Sequence, residues 1–435
     1  MKRMERRSIA VLALALALAM GLGFFLLRLA RSGGDWAAYT ANEHVYRLGR
    51  LQCGTLTDRN GAVLLRAEDG VYTYAPEENV RRASLHAVGD EAGYMGGTAL
   101  SLFGRELVGW SFWNGTDGRG GTVALSLDSR LQAAAWDALN GRSGAVVVMD
   151  YTTGEILSMV SAPAYDPAAG AELDREGVLV NRCTGAAMAP GSVFKLVTLI
   201  AAYENLPDLQ SRRFVCEGSA MVGGEELACV KKHGSQTVET ALCNSCNVAF
   251  GELAVELGGE CLRATAERLG LLEALEIDGY RTAPGTFDVA PRGSSLEAWS
   301  GIGQYHDLVT PYAMARLCAA IANGGAAREG SLRRGARTPT AELMPPATAE
   351  YLDQCMNYTG YYGYRALFPG LDMGAKSGTA ELGDGTDHAW MVGYLRSGPP
   401  LAFAVAVEHG GWGLYDAGPV ANAVLQKSVE IYAND

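Results

Sequence analysis

Ala187-Met-Ala-Pro-Gly-Ser-Val-Phe-Lys-Leu-Val-Thr-Leu-Ile-Ala-Ala-Tyr203 contains one charged residue, Lys195. Pro190 and Gly191 do not continue a helix from the left, whereas everything from Ser192 onward does. A helix starting at Ser192 is apolar almost all round, so it belongs in the centre of a domain rather than on its surface. Two polar groups then need explaining, the Ser192 hydroxyl and the lysine three residues on, whose side chains share a face. A lysine in apolar surroundings loses the solvation of its charge and moves toward the pKa of a useful base, and a serine beside such a base becomes a nucleophile. The Ser192 N–H lies in a first turn, where it has no intrahelical partner and is free to donate to an oxyanion. The bland reading is a lysine that snorkels to the surface. Ser-x-x-Lys alone arises by chance roughly once or twice in a chain of this length, so the rest of the sequence must decide.

The 435 residues could hold about three average domains, or one large and one small. A net charge of -12 argues against nucleic acid, which needs a basic surface to offset its phosphates. Ser8 to Leu29 is an uncharged apolar run except for Arg28, with Lys2, Arg3, Arg6 and Arg7 before it and Arg31 after it. That length matches a bilayer-spanning helix better than the shorter core of a cleaved signal peptide. The heavier basic flank places the N-terminus inside. The expected organisation is a cytoplasmic tail over 1–7, a transmembrane anchor over 8–30, a small β-rich pedestal over 31–121 and a main domain over 122–435.

In the pedestal, Asn60-Gly61 reads as a hairpin turn, and the glycines from Asn114 to Gly121 read as a linker. In the main domain, Asp128 caps a helix running to Asn140, and Ala145–Asp150 and Ile156–Val160 form a hairpin around Thr153-Gly154. Thr310-Pro311 opens another helix, which stops at Gly324-Gly325. Three strand-like runs, Met373–Glu381, His388–Leu395 and Leu401–Val407, precede a last amphipathic helix carrying Val420, Val424 and Leu425. Strands at both ends with helices between predict an α+β domain whose single sheet is assembled from both termini.

Two further constellations bear on Ser192. Ser245-Cys246-Asn247 sits on a turn before a helical stretch and could point a hydroxyl and an amide into one cleft. Taken alone, it reads more simply as a helix cap at Asn244 or Ser245. In Lys376-Ser-Gly-Thr379, strand alternation puts Lys376 and Gly378 on one side and Ser377 and Thr379 on the other. Gly378 leaves room for a ligand backbone to approach.

Taken together, Ser-x-x-Lys, Ser-x-Asn and Lys-Ser-Gly in that order resemble the set shared by penicillin-binding proteins and serine β-lactamases. Two of only six lysines occupy the two lysine positions of the set. Ser126–Gln132, Gly144–Asp150, Ser161–Pro167, Gly301-Ile-Gly-Gln304, His388–Gly393 and Asp58-Arg-Asn-Gly61 are also similar to penicillin-binding transpeptidase sequence. The resemblance implies an antiparallel sheet around a central helix and a serine acyl-enzyme. Ser192 would be the nucleophile on the D-Ala-D-Ala carbonyl of a peptidoglycan stem peptide, with Lys195 its base. Ser245 and Lys376 would relay the proton to the leaving group, and Asn247 would hold the substrate amide. Ser377, Gly378 and Thr379 would line the substrate site, the two hydroxyls binding its carboxylate, and the N–H groups of Ser192 and Thr379 would bind the oxyanion.

About 90 residues before the main domain are too few for a glycan-polymerising domain. The resemblance is therefore to the monofunctional class B proteins, which act outside the cytoplasmic membrane beside a SEDS-type glycosyltransferase and are acylated by β-lactams. A tethered β-lactamase, a β-lactam sensor and a D,D-carboxypeptidase share the motifs, and a non-catalytic cell-wall scaffold would share the fold.

No dinucleotide, P-loop or His-Glu-x-x-His element occurs, and no cofactor is expected. Cys229-x3-His233 with Cys243-x2-Cys246 has zinc-like spacing. Against that, Cys246 lies between two residues whose side chains the cleft needs, so no metal is expected either. Cys216 and Cys229 are alternatively candidates for an extracytoplasmic disulfide.

Overall fold

The computed structural model describes residues 2–43, 45–47, 50–116 and 118–432. The apolar N-terminal run is one helix, α1 (Lys2–Ala37). It is long and apolar enough to cross a membrane, with a mean hydropathy of 2.6 in its most apolar window, none of it buried in the protein. Its last turns meet the pedestal, where Arg105 donates to Asp35 and to the Arg31 carbonyl.

The pedestal is a four-stranded sheet. β1 (Cys53–Thr57) and β2 (Val63–Glu68) form the expected hairpin. Asp58 Oδ1 closes its turn by accepting from the N–H groups of Asn60 and Ala62, both at 2.8 Å. β3 (Val71–Tyr74) extends it on one side. A helix follows that the sequence pattern does not announce, α2 (Glu78–Val88), which starts without a side-chain cap and carries three charges in its first five residues. The fourth strand, β4 (Thr122–Ala124), pairs in parallel with β1, so the residues expected to open the main domain complete the pedestal sheet instead. Of the glycines before it, Gly115 and Gly118 face open space, whereas Gly120 and Gly121 are close-packing points. A Cβ on Gly120 would lie 2.5 Å from the Gly54 nitrogen, and one on Gly121 would strike the Glu106 carbonyl. With its helix, the pedestal is a mixed α/β unit, not a mainly β one.

Asp128 caps α3 (Ser129–Leu139) through the Arg130 N–H. Next come the hairpin β5 (Gly144–Asp150) and β6 (Ile156–Ala162), then the central helix α4 (Lys195–Asn205), which a 3-10 turn over Gly191–Phe194 introduces. A small hairpin, β7 (Ser219–Val222) and β8 (Glu225–Ala228), precedes α5 (Val238–Cys243), α6 (Asn247–Leu257) and α7 (Pro311–Ala322). Three strands, β9 (Met373–Glu381), β10 (Asp387–Leu395) and β11 (Leu401–Val407), lead to the last helix, α8 (Gly418–Tyr432).

The main sheet runs β9-β10-β11-β5-β6, antiparallel throughout, so C-terminal β11 pairs with N-terminal β5, as expected. Both of its faces are covered. Val147 and Met149 of β5 belong to one buried cluster with residues of α4 and α7, and Val146 and Val148 to another with residues of α3 and α8. That two-sided burial explains the unbroken apolar runs, which a strand with one wet face would not show. α2 joins the pedestal to this body. Gln132 donates to the Ala83 carbonyl at 3.2 Å and accepts from Met159 N at 2.8 Å, and Arg81 makes a bidentate pair with Asp166 at 2.7 Å.

Candidate active site

Lys195 opens α4, and all residues from Lys195 to Ala202 are buried. The turn before it rests on close contacts. Gly191 has φ +52°, and a Cβ there would lie 2.2 Å from the Thr379 carbonyl oxygen, so only glycine fits. Trp390 Nε1 donates to the Ala189 carbonyl at 2.9 Å, which ties the same turn to β10. The space at Gly378 proves to serve the chain itself. A side chain there would meet the Pro190 carbonyl oxygen at 2.8 Å and Val193 Cγ1 at 2.9 Å. The glycine therefore lets the serine turn seat against β9.

The three motifs converge. Lys195 Nζ donates to Ser192 Oγ at 2.9 Å, to Asn247 Oδ1 at 2.7 Å, and to the Ser245 carbonyl and Oγ at 2.9 and 3.2 Å. Lys376 Nζ reaches the same Ser245 Oγ at 3.1 Å and the Ser377 carbonyl at 2.7 Å. Both amines are fully buried. Burial lowers the Lys195 pKa to about 7, opposed by the negative potential of Cys246 and Cys229. Burial, then repulsion from Lys195, holds Lys376 well below the usual lysine range. Snorkelling is thus excluded for both, and a buried amine with a lowered pKa lies in contact with the Ser192 hydroxyl.

Ser245 takes a left-handed conformation, φ +51°, unusual for a residue with a side chain. The following helix is capped by neither Asn244 nor Ser245. Cys246 caps it, with its sulfur 3.5 Å from Ala249 N. The twist at Ser245 sends Ser245 and Asn247 toward the amines while Cys246 is buried behind them.

Along β9, Ser377 and Thr379 are half-buried beside the buried Lys376 and Gly378. Two partners were not evident from the sequence. Tyr364 OH accepts from Ser377 N at 3.0 Å and lies 2.9 Å from Ser377 Oγ; burial raises its pKa to about 12, so it remains a neutral phenol. Gln304 Nε2 donates to the Thr379 carbonyl at 3.1 Å. The quoted Gly301-Ile-Gly-Gln304 stretch was the signal for Gln304. A tyrosine in the Thr359–Tyr364 π-turn had none.

Cys216, Cys229, Cys243 and Cys246 are free thiols. Three of them gather with a histidine behind the Ser245–Asn247 turn. The sulfurs of Cys216, Cys229 and Cys246 and a ring nitrogen of His233 lie within 4.8 Å of one another. Cys243 is not among them. Its sulfur lies against Gly363, where an added Cβ would meet it at 3.2 Å.

Residues 144–429 match the family of the penicillin binding protein transpeptidase domain. The chain belongs to this family. It is 27% identical over 420 residues to the peptidoglycan D,D-transpeptidase PbpA of Mycobacterium tuberculosis, covering 84% of each protein. With PbpA of Mycolicibacterium smegmatis it shares 30% identity over 402 residues, covering 80% of this chain and 79% of the relative. Among solved structures, the D,D-transpeptidase domain of a peptidoglycan glycosyltransferase from Eggerthella lenta superposes with a TM-score of 0.75 at 28% identity. That match covers 88% of this chain and 99% of the other. The penicillin G acyl-enzyme of M. tuberculosis penicillin-binding protein A gives 0.72 at 27% identity, covering 87% and 99%.

Proposed function

We propose that this chain is a membrane-anchored, monofunctional D,D-transpeptidase that cross-links peptidoglycan stem peptides through an acyl-enzyme on Ser192. The observation that carries the reading is the buried Lys195 amine, 2.9 Å from Ser192 Oγ and held by Asn247 and Ser245.

In this mechanism neutral Lys195 takes the Ser192 proton as Oγ attacks the carbonyl of the penultimate D-alanine. The oxyanion forms against the N–H groups of Ser192 and Thr379, and the terminal carboxylate binds at the Ser377 and Thr379 hydroxyls. Ser245 Oγ gives its proton to the departing D-alanine nitrogen and regains one from the Lys195 ammonium, with Lys376 fixing its hydroxyl. The amine of a second stem peptide then attacks the ester carbonyl, the bond to Ser192 Oγ breaks as the new amide forms, and the amine's proton passes through Lys195 back to Ser192 Oγ. β-Lactams enter the first half of this sequence and stop there.

Helix α1 would anchor the enzyme with its catalytic domain outside the cytoplasmic membrane, and a SEDS-type glycosyltransferase would supply glycan at the pedestal. The membrane reading rests on the length and apolarity of α1, the partner on family resemblance.

The test is labelling of the detergent-solubilised full chain by a fluorescent penicillin. We expect a long-lived adduct on Ser192 that is absent from Ser192→Ala. Label surviving the substitution overturns the assignment, and release of hydrolysed penicillin within seconds assigns the site to a β-lactamase.

A further inference from the structure

Cys216, Cys229, His233 and Cys246 come from three separate segments. Cys216 ends the strand Phe214–Cys216, whose partner strand Gly234–Gln236 pairs Gly234 with Cys216. The His233 N–H also donates to the Cys216 carbonyl at 3.2 Å, which sets His233 beside it. Cys229 follows β8, and Cys246 caps α6. Cys216 and Cys246 are buried; Cys229 and His233 are half-buried and give access from solution.

The spacing of the group decides its chemistry. Cys229 and Cys246 sulfurs stand 3.8 Å apart. A disulfide needs about 2.05 Å, whereas two thiolates on one tetrahedral zinc at about 2.3 Å each are about 3.8 Å apart. The histidine is poised in the same sense, with its Nδ1 buried and without a hydrogen-bond partner among the described residues. A buried polar atom left unpaired is costly unless a ligand completes it. The charge is also accommodated. Asn247 N–H donates to the Cys229 sulfur at 3.1 Å and Val248 N–H at 3.5 Å, and Ala249 N–H lies at 3.5 Å from the Cys246 sulfur. Such N–H donors at a helix start favour thiolates and orient them as ligands.

We propose that Cys216, Cys229, His233 and Cys246 bind one zinc ion in a tetrahedral Cys3His site, and that the ion clamps the Ser245–Asn247 turn in its catalytic position. On binding, three thiols release their protons to solvent, four metal–ligand bonds form, and the ion is not oxidised or reduced. The objection that Cys246 lies between two cleft residues does not hold, because the left-handed Ser245 separates the directions. The mechanical link is short. Cys229 is bonded to Asn247 N–H, and the carbonyl of neighbouring Ala228 accepts from Asn247 Nδ2 at 2.8 Å. The amide that holds Lys195 is therefore attached to the same hairpin the ion would hold. The ion sits behind the turn and takes no part in acyl transfer, so these four are positioning residues. The clamp rests on the acyl-enzyme reading, whereas zinc binding does not.

The experiment is metal analysis of the full chain purified in detergent without chelator, alongside a count of free thiols in denatured, non-reduced, chelator-treated protein. We expect one zinc per chain and nine titratable thiols. Cys216→Ser and His233→Ala should each lose most of the zinc, while Cys243→Ser keeps it. No zinc with two fewer thiols means a disulfide and overturns the proposal, as does loss of zinc in Cys243→Ser with retention in Cys216→Ser. Cobalt exchanged into the wild-type protein should give the thiolate charge-transfer and tetrahedral d–d bands, so that a variant failing to fold does not decide the matter. For the clamp, chelation should slow penicillin acylation at least ten-fold, with recovery on adding zinc but not magnesium. An unchanged rate in protein shown to be zinc-free overturns that part and leaves metal binding standing. Absence of any acylation in zinc-loaded protein would instead count against the transpeptidase reading.

Discussion

The Ser245–Asn247 turn separates two buried polar clusters that differ in how completely they are satisfied. On the cleft side, Lys195 Nζ has four oxygen acceptors within 3.2 Å, more than one amine can serve at once. On the other side, the Cys229 and Cys246 sulfurs receive N–H groups while His233 Nδ1 has no partner among the described residues. The first cluster is closed within the chain and can shuttle a proton among redundant partners. The second is open by one ligand. Buried groups that lack a partner point outward from the chain to something it must acquire, and buried groups with too many partners point to motion within it.

The comparison can be broken most directly at the closed cluster. Lys195→Met keeps the volume and removes the amine, and should lower the penicillin acylation rate by about 1,000-fold with an unchanged circular dichroism spectrum. A loss below about ten-fold would remove Lys195 from the role of base. The same lysine sets the pH profile. With its pKa lowered to about 7, the amine is neutral above that value and protonated below it. Acylation should be flat on the alkaline side and fall about ten-fold per pH unit on the acid side, measured by stopped-flow labelling. A profile level from about pH 5.5 to about 8 would contradict the shift.

Gly191→Ala tests whether the serine turn depends on its contact with β9. The added methyl meets the Thr379 carbonyl at 2.2 Å in a left-handed backbone. A loss of about 2–4 kcal/mol in urea unfolding should accompany slower acylation, and a neutral substitution would mean the turn is loose. Tyr364→Phe deprives Ser377 N of its acceptor and should cost about 1–2 kcal/mol, raising the penicillin concentration for half-maximal labelling more than it lowers the limiting rate. The smallest effect should come from the pedestal. Arg81→Ala breaks the pair with Asp166, far from both clusters, and should lower stability by about 1–3 kcal/mol while the acylation rate stays the same. A large change in rate would show that the pedestal junction governs the cleft.

Much of the fold was written in local pattern. Asp128 and Thr310 cap the helices they were expected to cap, and the Asn60-Gly61 turn and the main-sheet strands follow from turn residues and alternation. What escaped depends on long-range pairing. Helix α2 has no side-chain cap and draws its stability from packing on α3 and β6. β4 is three residues long and is a strand only because β1 lies beside it. The candidate catalytic set was legible because each motif carries its chemistry within four residues. The sulfur cluster was half legible. Cys229, His233 and Cys246 show in the spacing, but Cys216 joins them through the pairing of Gly234 with Cys216, which no local period encodes, and Cys243 drops out because α5 turns it toward Gly363.

The main sheet has a consequence for the birth of the protein. Ser192 and Lys195 are synthesised about 180 residues before Lys376, and β9 is held in the sheet by β10 and β11, the latter pairing with β5. On the proposed reading, a nascent chain would carry its nucleophile long before it carried the strand that completes the site. Reactivity would then switch on only when the late strands arrive, and an incomplete chain would stay inert toward stem peptide and penicillin alike.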